Sequence, residues 1–222
     1  MDASGQVTDS IKERARQGTP GASLSGPMQK RAIQTRQELL KAARLIFARD
    51  GFAIARLQDI AEAAGRTRGA LYDNFEDKED LFFAIIEEDI VQDYELYKRE
   101  LHSGSSREKR IQVLTEKLVD IVHDRQRMLL HIEFKLFAIR HPQQQARLAE
   151  LHTAMCHQGI DSKADLIPEL RTKTPDQRRR FVASLGAILD GTALNLYFDP
   201  IGSSDAEIRR KIEHEVREHL DH

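Results

Sequence analysis

The chain of 222 residues contains a single cysteine, Cys156. An internal disulfide and a thiolate zinc cluster are therefore excluded, and a reducing, cytoplasmic setting is expected. No apolar run approaches the ~18–20 residues that a membrane span needs, so no membrane partner is expected. The first thirty residues lack an apolar core of the signal-peptide kind, and no secretory signal is expected there. Net charge is scarce as well, at −2. The motifs of common enzyme classes are missing: no His-Glu-x-x-His run, no glycine-rich phosphate loop, no Gly-x-Ser-x-Gly elbow. Among the nine histidines, His152 and His157 do not share a helix face, and His131 and Glu133 point to opposite sides. No enzyme activity, metal or cofactor is expected.

What the sequence has is an uneven distribution of charge. Residues 30–72 carry nine Lys/Arg against four Asp/Glu, whereas residues 73–222 carry 22 against 29. A small basic unit thus precedes a larger acidic one. A basic face neutralises phosphates and an acidic remainder is held away from them; ordinary solvated helix surface produces the same imbalance. Residues 1–29, with recurrent Gly, Ser, Thr and Pro, read as a disordered polar tail.

From Thr35 onward the spacing is helical, with few strand signals and no repeat. Leu39, Ala43, Ile46 and Phe47 form one stripe of a helix ending at Asp50-Gly51. Leu57, Ile60, Ala61 and Ala64 make a second, short helix closed by Gly65. Thr67 is suited to cap a third, carrying Ala70, Leu71 and Phe75, and Asp77 a fourth running to about Lys98. Further helices are expected at about 106–123, 126–140, 143–158, 175–198 and 204–220, the one at 175 started by Thr174-Pro175. Gly159–Lys173, interrupted by Pro168, is the least regular stretch. The fold class is all-α, with about nine helices.

Residues 57–75 have the make-up of a helix-turn-helix. Small and aliphatic residues pack the two helices, Gly65 permits the turn, and Thr67, Arg68, Gly69 and Tyr72 stand at the end that would enter a major groove. Around them run Leu45-Ile46-Phe47-Ala48-Arg49-Asp50-Gly51-Phe52, Asp59-Ile60-Ala61-Glu62-Ala63-Ala64-Gly65, Gly69-Ala70-Leu71-Tyr72-Asp73-Asn74-Phe75 and Lys78-Glu79-Asp80-Leu81-Phe82. In these segments residues 35–82 resemble the DNA-binding domain of the TetR family of bacterial transcriptional regulators, of the AcrR-like kind.

The resemblance implies a DNA-binding domain at 30–78 and a helical effector-binding and dimerisation domain at 79–222. It also implies a homodimer on a palindromic double-stranded DNA operator, acting as a repressor released by a small apolar or aromatic effector. A ligand-responsive activator, and a helical DNA-binding or scaffold protein without regulatory action, stay open. Thr67, Arg68, Gly69 and Tyr72 match positions that touch bases and phosphates, Lys78 a phosphate contact, and Thr35 a further one. Two positions depart from the family. Ala55-Arg56 replaces the usual Ser/Thr cap of the second helix, and Arg66 the usual aliphatic residue under the turn. Both arginines are expected to reach DNA. Lys30 and Arg31, just before the first helix, suit either a minor-groove arm or plain solubility.

The last two helices match the family's four-helix dimer interface. Ala183, Ala187, Gly191 and Asn195 form a line of small residues, with Ser184 and Ile188 beside it, and Ile208, Ile212, Val216 and Leu220 form an apolar stripe. An effector pocket is expected from His131, Phe134, Phe137, His152 and Met155, with Asn195 as a polar anchor. These residue types are core residues just as readily. Cys156 reads as a small buried residue rather than a reactive thiol.

Overall fold

A computed structural model describes residues 27–102 and 104–221, in which nine α-helices, one 3-10 turn and no strand occur. The helices are α1 (Pro27–Asp50), α2 (Leu57–Ala63), α3 (Arg68–Tyr72), α4 (Lys78–Glu100), α5 (Arg107–His123), α6 (Arg125–Arg140), α7 (Pro142–Asp161), α8 (Pro175–Phe198) and α9 (Asp205–Asp221). The 3-10 turn is Pro168–Leu170, within the stretch that lacked a regular pattern. The tail expected over 1–29 lies outside the described residues except for its last three, which open α1. Lys30 and Arg31 accordingly sit inside the first helix rather than ahead of it, because nothing between Pro27 and Thr35 breaks a helix.

Local chemistry accounts for most boundaries. The side chains of Thr67, Asp77, Ser106 and Asp124 each accept a bond from a backbone N–H three residues on. Such caps satisfy donors that the first helical turn leaves unpaired. Thr174 and Gln177 form a reciprocal capping box ahead of α8, with Pro175 at its first position. Gly51 ends α1 at φ +82°.

Two apolar cores result. The first joins α1–α3 to the start of α4 and crosses residue 78 into α6 and α7 through Leu130, Phe134, Ala138, Leu148 and Met155. At its centre Phe52 meets Phe82, Phe134 and Phe137 edge-on, and Phe82 stacks on Phe134 at 3.9 Å. The second core joins the end of α4 to α5, the 3-10 turn, α8 and α9.

The stripe of α9 lies in this second core. Ile208, Ile212 and Val216 are at most 1% exposed within the single chain. Their assignment to a dimer interface is therefore corrected: α9 spends its apolar face on α5 and α8 of its own chain, and its outer face is charged. Ser184 is tied inward as well, donating to Glu215 of α9. The exposed apolar surface lies on α8 instead, at Ala183, Ala187, Leu194 and Phe198, continuing to Ile201. This also corrects the expectation about apolar runs: an 18-residue window of α8 has a mean hydropathy of 1.4, with only 17% of it buried. The helix lies on the flank of a packed bundle, where surface of this kind suits a protein contact.

Candidate nucleic-acid interface and the cavity behind it

Ile60, Ala61 and Leu71 are buried where α2 meets α3. The turn between them is closed by two bonds, from Gly65 N–H to the Glu62 carbonyl (2.9 Å) and from Arg66 N–H to the Ala61 carbonyl (2.8 Å). This is a Schellman ending, and it requires the left-handed conformation that Gly65 adopts at φ +64°. Thr67 Oγ1 accepts from Ala70 N–H at 3.1 Å. Arg68, Gly69 and Tyr72 are thereby left on the exposed side of α3. The Arg68 guanidinium lies 5.4 Å from the Tyr72 ring centre and donates to its hydroxyl at 3.3 Å, which holds both side chains upright as a pair.

The other residues expected at DNA are placed unequally. Arg56 occupies the cap position of α2 without capping it, as its side chain predicts, and is exposed. Arg56, Arg68, Tyr72 and Lys78 rim one depression of about 530 Å³. Lys78 Nζ donates to the carbonyls of Phe52 (2.8 Å) and Ala53 (2.9 Å), and burial pushes its pKa down. Two of its three donors thus hold the α1–α2 loop. Thr35 is half-buried on α1. Arg66 turns back toward α1 and pairs with Glu38, its Nε 2.7 Å from Oε2. With no aliphatic residue under the turn, a carboxylate on α1 takes the guanidinium. That pairing, with the Gln34 bond, holds the Glu38 carboxyl below its usual range.

Behind this face a cavity of about 410 Å³ lies among α4, α6, α7 and α8. His131, His152 and Met155, three of the residues named for an effector pocket, line it. Phe134 and Phe137 do not. Phe134 is 1% exposed in the aromatic centre of the first core, and Phe137 borders the depression beside Lys78. Asn195 is exposed near the end of α8 and outside the lining. The aromatic assignment is corrected accordingly: those rings hold the head on the body, and the walls of the cavity are aliphatic and thioether groups such as Ile86, Ile90, Met128 and Leu189.

The sequence pointed to the two histidines of the lining but not to their contact with each other or to the charged groups beside them. His131 Nδ1 lies 3.3 Å from His152 Nε2, and His152 Nδ1 lies 3.7 Å from Cys156 Sγ. Burial pushes the pKa of His131 well below its ordinary value and that of His152 down to about 4, with the Lys135 charge adding to the latter. Both imidazoles are neutral at pH 7. Burial also raises the Cys156 thiol, which fits an unreactive side chain. Lys135 pairs with Asp190, and Arg127 holds Asp93 through two bonds of 2.9 and 2.8 Å. Arg127 also reaches Asp89 at 3.4 Å, and Asp89 binds Arg44 of α1 at 2.7 Å. No group of three His, Cys, Asp or Glu among the described residues suits a metal ion.

Known proteins resemble this chain in sequence and in fold. Residues 39–85 match the family described as bacterial regulatory proteins, tetR family. The transcriptional regulator AcrR of Shigella flexneri is 36% identical over 110 residues, 46% of this chain and 49% of AcrR. The regulator UidR of Escherichia coli K12 is 29% identical over 153 residues, 65% of this chain and 76% of UidR. The first curated relatives are matched over about a third to a half of their length. Salmonella enterica GusR has a similar fold, with a TM-score of 0.58 at 23% identity over 90% of this chain and 99% of GusR. These matches are to regulators rather than enzymes.

Proposed function

We propose that this chain, which belongs to the tetR family of bacterial regulatory proteins, is a homodimeric repressor that leaves a palindromic operator when a small effector enters the cavity. The observation that carries the reading is the Thr67-capped α3, which buries Leu71 against the head and presents Arg68, Gly69 and Tyr72 as an exposed set. A helix with its N-terminal residues so displayed suits entry into a major groove. Arg68 and Tyr72 take base-edge and phosphate contacts, and Gly69 admits the DNA backbone closely. Arg56, Thr35 and the remaining donor of Lys78 serve the phosphates alongside. Arg66 has the weaker claim, since Glu38 already holds it. The head at residues 30–78 carries these contacts, and residues 79–222 carry the cavity and the dimer face.

The exposed face of α8 supports pairing of two copies. Phe198 and Ile201 are 91% and 97% exposed, and Ala187 and the half-buried Gly191 on the same helix allow close approach of a twofold-related α8. The cavity supports an effector with an apolar body. A reducing cytoplasm suits a regulator with one buried-type thiol.

The test is fluorescence anisotropy on DNA from upstream of the protein's own gene, with random-sequence competitor at several salt concentrations. Arg68→Ala and Tyr72→Ala should each weaken binding by roughly tenfold or more, and loss of a phosphate contact should lower the salt slope by about one. Sedimentation should show the dimer unchanged. Wild-type affinity in both variants would move the DNA contact away from α3.

A further inference from the structure

The charged side chains that line the cavity do not balance. Five ionised side chains line it: Arg127, Lys135 and Lys163 against Asp93 and Asp190. Arg127 is committed to Asp93, and Lys135 to Asp190. Lys163 has no carboxylate within ion-pair distance among the described residues. It is only 8% exposed, donates to the Gly159 carbonyl at 2.5 Å and lies 5.3 Å from the Tyr97 ring centre. The two imidazoles add no charge, being held neutral by burial. A lining with one surplus cation in a largely apolar enclosure favours an anion over a neutral molecule, because the ligand then supplies the partner that the ammonium lacks.

We propose that the cavity takes an amphipathic organic acid, its carboxylate paired with the Lys163 ammonium and its apolar body lying along Ile86, Ile90, Met155 and Leu189. This rests on the effector reading of the same cavity and adds the chemical class. Burial lowers the Lys163 pKa to about 8, against the opposing pull of Asp93, so the group remains mostly charged at pH 7. A carboxylate arriving beside it relieves the cost of that isolated charge. Lys163 comes from the irregular segment between α7 and α8, which gives the ligand a contact that the surrounding helices do not provide.

The test is calorimetric titration of the full chain at pH 7 with decanoate and, in parallel, 1-decanol, which keeps the apolar body and removes the charge. Decanoate should bind at least about tenfold more tightly than 1-decanol. Lys163→Met should abolish that preference by weakening decanoate alone, and Lys163→Arg should retain it. Equal affinity of the wild type for the two ligands would overturn the proposal and leave the effector cavity standing. A preference for decanoate that survives in Lys163→Met would overturn it too. If neither compound binds, this proposal falls, while the effector reading of the cavity, which specifies no acid, stands. Should Lys163→Met fail to fold, Lys163→Gln takes its place in the same comparison.

Discussion

Asp89→Ala tests how the DNA-facing head is fixed to the body. Asp89 is 4% exposed on α4 and stands between two arginines from other helices. Arg44 of α1 reaches it at 2.7 and 3.0 Å, and Arg127 of α6 at 3.4 Å. Burial opposes the charge on both arginines, yet the facing carboxylates outweigh it and raise their pKa values. Removing one partner of a buried ion pair costs about 3–5 kcal/mol when the other is left alone. Here neither arginine is left alone: Arg44 keeps Glu88 at 3.3 Å, and Arg127 keeps its two bonds to Asp93. The expected cost is accordingly reduced to about 2 kcal/mol, which for a chain of this size lowers Tm by about 4–8 °C. Thermal unfolding followed by far-UV circular dichroism measures it, with Arg44→Met and the double variant completing a cycle. The single losses should sum to clearly more than the loss in the double variant. A Tm change below about 1 °C for Asp89→Ala, or strict additivity in the cycle, would refute the claim that this network holds α1 to α4.

Acid should destabilise the protein through its buried imidazoles. A histidine whose folded-state pKa is depressed contributes fully above its unfolded value near 6.5, and that contribution is lost as pH falls toward the folded value. For His152 the window runs from about 6.5 down to about 4, worth at most about 3 kcal/mol. His152→Gln should flatten the fall in Tm over that range, and an unchanged pH profile would count against the buried neutral ring. At the turn, Gly65→Ala meets no atom within 4 Å, so its cost is the left-handed backbone alone, about 1–2 kcal/mol. Urea titration should show that loss, and a neutral result would mean that the turn relaxes away from φ +64°.

The head was legible because its determinants are local. The Gly65 turn, the Thr67 and Asp77 caps and the stripe of α1 each lie within a few residues of the structure they fix, and all appear as expected. The long helices were legible for the same reason; the Thr174-Pro175 start of α8 fell in place to the residue. What the sequence did not yield is partner choice. The α9 stripe guarantees a buried face but does not say whether a second copy or the same chain covers it, and the chain's own α5 and α8 do. Phe134 and Phe137 promise a buried ring just as ambiguously, and the first core takes Phe134. Arg66 looked outward only because Glu38, 28 residues away, gives no sign in the sequence that it faces the turn.

The cavity is the extreme case, since its polar groups come from pairs far apart in the chain. Lys135 meets Asp190 across 55 residues and Arg127 meets Asp93 across 34. Those contacts also bear on how a ligand reaches the DNA face. Arg127 and Asp93 line the cavity, Arg127 touches Asp89, and Asp89 holds Arg44 on the first helix of the head. An anion that drew on Arg127 would have to take it from Asp93 or from Asp89, and only the second exchange loosens α1. The carboxylate position at Lys163 therefore matters beyond affinity. A ligand anchored there would leave the Arg127–Asp93 pair intact and act through the packing of the helices that wall the cavity, whereas one anchored at Arg127 would act through charge. The same Asp89→Ala variant separates the two routes: it removes the electrostatic path and leaves the steric one in place.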